Sequence, residues 1–406
     1  MKINSKNFIY FSSLNLIIRI VAILAKSVAI ILLSNTMLSS DYADYGIFNG
    51  FSNFFIILIG FDIYKLCQRN YPLNKDKKYQ GYPQIKIYIK SYFFLILLSL
   101  VSCYIENSFE FLLLTLIVIT EHFIQEFYRM LLFVKRTLEG SFLLFFKSIL
   151  LLTYVLINIK IFSNVITYLD LILYWTISNI IIVLFILLKS ESYGVSLFNS
   201  DSPSSKIKIT LKTTSLLFLS ALILRSIITI DKYLFSVYAS DNHVAAYVLL
   251  ISICSLFLVI FDSVYLSFTI PSIMKSNDDE LNLLFKKFFL NGVIWILIIF
   301  IGAEIILSIS LLTDMLNLFT NKYEYTLGFI VFVLYSISNL FEIYIIRTKL
   351  DTHNFYLSIV SGLVFFITYF IFKPVSIKSM LILLIVTFAA LLILKSILVV
   401  RKISRL

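Results

Sequence analysis

Five cations lie inside apolar stretches of this chain, and their spacing suggests a chemistry. In LIIRIVAILAKSVAIILL, residues 16–33, Arg19 and Lys26 stand seven apart. In LILRSIITIDKYLF, residues 222–235, Arg225 and Lys232 repeat that spacing at a constant offset of 206; Lys147 is the fifth. Seven residues is close to two helical turns, so each pair shares a face. A cation at the centre of a membrane helix costs about 2.5–3.5 kcal/mol on the insertion scale, so a lipid-facing stripe is unfavourable. Two readings remain. In one, the cations line the gap between two halves of the chain and hold an anion there, with Arg19 facing Arg225 and each Arg gripping it bidentately. In the other, each cation is neutralised by an acid on a neighbouring helix. Lys232 has Asp231 beside it, whereas no acid lies within a turn of Arg19.

The acids form a second group. In EHFIQEFYRM, residues 121–130, His122, Gln125, Glu126 and Arg129 fall at i, i+3, i+4 and i+7, one polar stripe on a helix. Glu126 can pair with Arg129. Glu121 lies near the middle of its segment, where an ionisable residue is a functional candidate by default. It is a candidate either to carry a coupling proton or Na⁺, with His122 as a titratable neighbour, or to act as counter-ion to Arg19. The residues therefore sort into a substrate-binding set (Arg19, Lys26, Arg225 and Lys232) and an ion-coupling or charge-relay set (Glu121, His122, Glu126 and Asp231). Glu304 inside segment nine has no assigned role, and Asp62 reads as interfacial. Cys67, Cys103 and Cys254 are isolated, so neither a disulfide nor a metal site is expected. No nucleophile–base pair, metal cluster or Gly-rich phosphate loop is present, and no cofactor is expected.

The elements that position these residues follow from composition. The 406 residues are 60% hydrophobic and 14% charged, with a mean hydropathy of +0.96. Soluble domains carry about 25% charged residues. The chain is an integral membrane protein, and its long apolar runs require helices rather than barrel strands. The first apolar run is interrupted by charge and lacks a small-residue cleavage site, unlike a removable signal. Twelve segments are expected, near 8–33, 45–65, 89–105, 109–131, 141–161, 166–188, 213–238, 244–270, 288–310, 326–347, 353–372 and 378–399. Pro271, Pro374 and Asn277-Asp278-Asp279 fit helix ends.

Alternate connections sort by charge: one set carries 25 cations, Lys65 and Lys395 among them, and the other four. This bias places both termini and the two longest connections, 66–88 and 189–212, in the cytoplasm. The net charge of +11 is thus a matter of topology, and no nucleic-acid partner is implied. Every outer loop is short. The organisation reads as a six-helix lobe over 1–190, a cytoplasmic linker over 191–212 and a second six-helix lobe over 213–406. Ser40-Asp41 and Ser240-Asp241 follow the first helix of each half, and Tyr45 and Tyr247 open the next span. The repeats are parallel, related by a pseudo-two-fold axis along the membrane normal. The fold class is an all-α polytopic membrane protein of twelve transmembrane helices.

IDKYLFSVYASDNHVAAYVLLISI (230–253) and SSDYADYGIFNGFSNF (39–54) resemble the signature regions of bacterial polysaccharide exporters. The branch they resemble is the O-antigen flippases (Wzx-type) of the multidrug/oligosaccharidyl-lipid/polysaccharide exporter superfamily. The resemblance implies a V-shaped cavity between two lobes, alternating access and an undecaprenyl-diphosphate-linked oligosaccharide as cargo, for O-antigen or capsule. It also implies a place in the bacterial inner membrane, contact with membrane lipids, coupling to H⁺ or Na⁺, and the pathway's polymerase as a partner. A diphosphate suits a basic cavity, because an unpaired charge in a low-dielectric layer is prohibitive. The alternatives are a multidrug/cation antiporter of the same superfamily, which would want acids in its cavity, and a membrane glycan polymerase or ligase. Those enzymes usually have a large outer loop, which this chain lacks.

Overall fold

The computed structural model describes residues 5–61, 63, 65, 85–106, 109–133, 136–162, 165–190, 211–276, 278–309 and 321–404. Most of the 66–88 connection and of the 191–212 linker lies outside them, as do Asp62, Cys67 and Asn277. The described residues form twelve helices. The first six are α1 Ser5–Thr36, α2 Ser39–Gly60, α3 Ile85–Glu106, α4 Glu110–Phe133, α5 Thr137–Ile157 and α6 Tyr168–Lys189. The second six are α7 Leu211–Ser236, α8 Asp241–Phe261, α9 Asp278–Ser308, α10 Lys322–Arg347, α11 Asp351–Phe372 and α12 Ile377–Ile403. A π-helical turn, Asp262–Leu266, carries α8 on into Ser267–Lys275. The count agrees with the sequence expectation, and the chain is an all-helical multi-pass membrane protein.

Nine of the twelve are long and apolar enough to cross a membrane, and α3 has a shorter apolar core over Tyr88–Tyr104. The remaining two, α2 and α7, carry Ser40-Asp41 and Arg225, Asp231 and Lys232 respectively. Several of the other helices present apolar residues outward, whereas α8 and α10 are mostly buried. On α3, for example, Phe93, Phe94, Leu97, Leu98 and Val101 are all exposed, as lipid contact requires.

Two expected boundaries move. The helix runs through Pro271 to Lys275 rather than ending there. The π turn just before it is the kind of local adjustment that lets a membrane helix accommodate a proline's missing N–H. α9 starts at Asp278, ahead of its apolar part near 288. Pro374 does follow a helix end, after Lys373 in a left-handed conformation with φ 40°.

The chain divides into two compact units. The first comprises Met1–Asp41, Phe51–Tyr64 and Leu73–Thr214; the second comprises Tyr42–Gly50, Lys65–Pro72 and Ser215–Leu406. In the first, α1 packs on α5 and α4 packs on α6. Arg19 meets Ser141, and Lys26 lies within Coulombic range of Lys147, so α1 and α5 run parallel. Tyr88–Glu126 and Tyr92–His122 make α3 and α4 antiparallel. In the second unit the same scheme recurs. Ser220–Ser358 and Leu234–Tyr369 set α7 parallel to α11, while Tyr335–Phe388 and Glu342–Lys395 set α10 parallel to α12. Helices of like parity run parallel in both units. That is what twelve alternating spans require.

Candidate functional site

In the first unit the intramembrane charges fall into three groups. The first surrounds Arg19, 1% exposed, whose Nε donates to Ser141 Oγ on α5 at 2.8 Å. Ser141 in turn donates to Asn15 Oδ1, one turn before Arg19. These hydroxyl and amide groups place Arg19 at the α1–α5 contact. Glu121 is not its counter-ion.

Glu121 belongs to the second group. Both of its carboxylate oxygens accept from Lys147 Nζ on α5. Asn179 Nδ2 on α6 donates to Oε2 at 3.2 Å, and Gln125 Nε2 donates to Oε1 at 3.3 Å. Asn179 also donates to Thr120 Oγ1 at 3.3 Å. Lys26, on α1, is exposed and within Coulombic range of both Lys147 and Glu121. Lys147 is thus the ion-pair partner of Glu121, with Lys26 as a second cation near the same carboxylate.

The third group lies on the other side of α4. His122, 1% exposed, shares a 2.6 Å hydrogen bond through Nδ1 with Tyr92 Oη and meets the Tyr88 ring edge-on at 4.6 Å. Tyr88 Oη donates to Glu126 Oε2 at 3.2 Å, and Arg129 pairs with Glu126 on the same helix. The expected single stripe is thus divided. Gln125 turns towards Glu121, α5 and α6, whereas His122 and Glu126 turn towards α3. Residues 121 and 122 differ by about 100° around a helix, enough to serve different neighbours.

In the second unit, Asp231 is fully buried on α7. Its Oδ1 accepts from Lys232 Nζ at 3.2 Å and its Oδ2 from Tyr247 Oη at 2.6 Å. The tyrosine that opened a span in the repeat pattern is thus a ligand of the acid in the same motif. Lys232 also donates to the Ile228 carbonyl at 3.3 Å, so this cation is held as an ion pair. We expect Tyr247→Phe to lower stability by about 1–3 kcal/mol, the cost of stripping a buried acceptor of one donor. A melting-temperature measurement on purified protein checks this; an unchanged value would mean Lys232 alone satisfies Asp231.

Arg225 is exposed, with its guanidinium 6.0 Å from the Tyr335 ring centroid. Matching sequence positions thus give unlike environments: Arg19 is buried and Arg225 open.

One charged cluster escaped sequence reasoning. Glu342 on α10 accepts from Lys395 Nζ of α12 at 2.9 Å and from Lys65 Nζ at 2.8 Å. Lys395 is 0% exposed, so it is a core residue and not a connection cation. The lone acid inside the apolar run 326–347 was the available signal. A second missed signal is the Gly46–Gly50 spacing on α2, the small-residue pattern of close helix contacts. A Cβ on Gly46 would meet the Val248 side chain, and one on Gly50 the backbone carbonyl of Thr229.

Among the described residues no group of His, Cys, Asp and Glu could hold a metal ion.

No protein-family profile matches this chain. No curated protein matches its sequence. Solved structures do match. The MATE multidrug transporter DinF-BH, solved as a complex, superposes with a TM-score of 0.65 at 14% identity, covering 97% of this chain and 94% of that one. An outward-facing multidrug resistance MATE family transporter of the MOP superfamily gives 0.64 at 15%, covering 100% and 97%. A mutant of the Vibrio cholerae MATE transporter VcmN gives 0.63 at 13%, covering 96% of each chain. Identity this low carries the fold alone. Across nearly its whole length, this chain has the fold of the MATE transporters.

Proposed function

We propose that this protein is a membrane transporter working by alternating access, not an enzyme, and that its cargo is an amphipathic molecule with an anionic group. The observation that carries the anionic reading is the charge inventory. Among the described residues, each of the four buried carboxylates, Glu121, Glu126, Asp231 and Glu342, already has a cation. Lys26 and Arg225, both exposed, have no carboxylate within ion-pair distance among the described residues. Among the described residues a cationic cargo would have to use an acid outside these four, such as Glu304, whose Oε1 is buried without a hydrogen-bond partner, whereas an anion would find unspent positive charge.

The sequence resemblance supports a lipid-linked oligosaccharide diphosphate as that cargo, with 1–190 and 213–406 as the two lobes, both termini cytoplasmic and the pathway's polymerase as a partner. The second reading is a multidrug antiporter, and the structural neighbours favour it, two of them being multidrug transporters by description. In either case Glu121, His122, Glu126 and Asp231 are the candidates for ion coupling.

The test compares two cargoes in proteoliposomes: a fluorescent polyprenyl-diphosphate oligosaccharide and a cationic dye. We expect wild-type protein to move the first, and Lys26→Ala and Arg225→Ala to reduce that movement at least about tenfold at equal protein level. Transport of the dye with no movement of the glycolipid would establish the antiporter reading instead.

A further inference from the structure

Lys147 and Lys26 contribute two positive charges from two packed helices, α5 and α1, and among the described residues one carboxylate, Glu121, stands beside them. Lys147 is 31% exposed at its side chain and Lys26 is exposed, so both reach accessible space. Glu121, by contrast, is nearly buried and grips Lys147 with both oxygens. A carboxylate held this way has the geometry of a ligand's acidic group.

We propose that Glu121 is a built-in stand-in for the cargo's anion. It holds Lys147 until a phosphate-type anion docks between Lys26 and Lys147, and it then releases the lysine and takes up a proton from solvent H₃O⁺, leaving H₂O. This inference rests on the anionic-cargo reading and adds a residue, Lys147, and an exchange step to it.

The surroundings of Glu121 suit both states. Its other partners, Gln125 and Asn179, are neutral amides that can donate to a carboxylate, more strongly, or to the carbonyl oxygen of a protonated carboxyl. The side-chain oxygen of Asn179 is buried and has no hydrogen-bond partner. Buried acceptors are normally satisfied. A protonated Glu121 supplies the missing donor on the residue next to it, one amide rotation away. Charge balance agrees. With Glu121 neutral, two lysines face the two or more negative charges of a diphosphate; with Glu121 ionised, the cluster carries only one net positive charge. On the far side of α4, Glu126 and Arg129 are paired with each other and take no part. α6 contributes only the Asn179 amide.

The experiment measures binding of two probes, farnesyl diphosphate and inorganic pyrophosphate, to purified protein in phosphatidylcholine nanodiscs. In wild type the affinity for diphosphate should rise as pH falls, because protonating Glu121 frees Lys147. Glu121→Gln should bind about tenfold more tightly and lose that pH dependence, while Lys147→Gln should lose binding. An infrared difference spectrum of wild type should show carboxylate absorption lost on diphosphate addition and a protonated-carboxyl band gained, which requires no variant to fold. A farnesyl preference assigns the anion to a lipid headgroup, and equal affinities assign it to the phosphate group alone; the exchange is upheld by the pH dependence and its loss in Glu121→Gln. Binding that is unaffected by pH and by Glu121→Gln overturns the exchange but leaves an anionic cargo standing. Absence of diphosphate binding in wild type and Glu121→Gln alike, with dye transport intact, overturns both.

Discussion

Glu342→Gln is expected to remove most of the folded protein from a membrane preparation. The substitution keeps the shape of the side chain and deletes the charge that holds two lysines. Lys395 is fully buried on α12 and cannot reach water, so it is left as an uncompensated internal cation. Breaking a buried pair in this way costs about 3–5 kcal/mol, against a total stability of about 5–15 kcal/mol for a typical domain. Lys65, whose side chain is 25% exposed, can turn its ammonium towards the polar boundary and contributes less to the loss. The double variant Glu342→Leu, Lys395→Met should therefore recover much of the stability, because replacing both partners removes the buried charge altogether. Fluorescence-detected size-exclusion chromatography reads the yield and a melting curve the stability. A monodisperse Glu342→Gln protein with an unchanged melting temperature would show that the two lysines are solvated and that the cluster is not structural.

Gly50→Ala should be nearly as damaging, for a steric reason. Its Cβ would fall on the main-chain oxygen of Thr229 in α7, and a helix carbonyl cannot rotate aside. Overpacking of this kind costs about 1–3 kcal/mol and more where the obstacle is backbone. Gly46→Ala, one turn earlier, meets the branched side chain of Val248 on α8 instead. The pair separates the two cases: Val248→Ala should restore Gly46→Ala to near wild-type stability and should do nothing for Gly50→Ala. Melting temperatures of the wild type, the single variants and the two combinations decide it. Rescue of Gly50→Ala by Val248→Ala would mean that the two helices can slide apart, and the close α2–α7 contact would lose its importance.

By itself, the sequence determined the class of the molecule and its helix count. Long apolar runs must be helical in a membrane, because backbone groups there can bond only within their own segment. Strict alternation of charge between connections then allows one count, and the parity of the packed helices agrees with it. The Arg-x₆-Lys repeat and the Ser-Asp boundaries were legible for the same reason: they are local and periodic. The Asp231–Lys232–Tyr247 cluster was half legible, since the acid and base are adjacent and the tyrosine opens the following span.

Pairing between distant helices was decided by tertiary structure alone. Nothing in a one-dimensional pattern says that Lys147 rather than Arg19 faces Glu121, because the helical periodicity fixes a face but leaves its neighbour open. Packing made that choice by bringing α5 against α4, and it set the Arg19 Nε against the hydroxyl of Ser141. It also gave Arg19 and Arg225 opposite exposures despite their equal spacing. Lys395 shows the same limit: its position near a helix end reads as a connection charge, and only the approach of α10 makes it a buried partner of Glu342. Electrostatic partnership in a low-dielectric bundle depends on contacts a few ångströms long between residues tens to hundreds of positions apart, and the chain specifies those contacts only through the packing of whole helices.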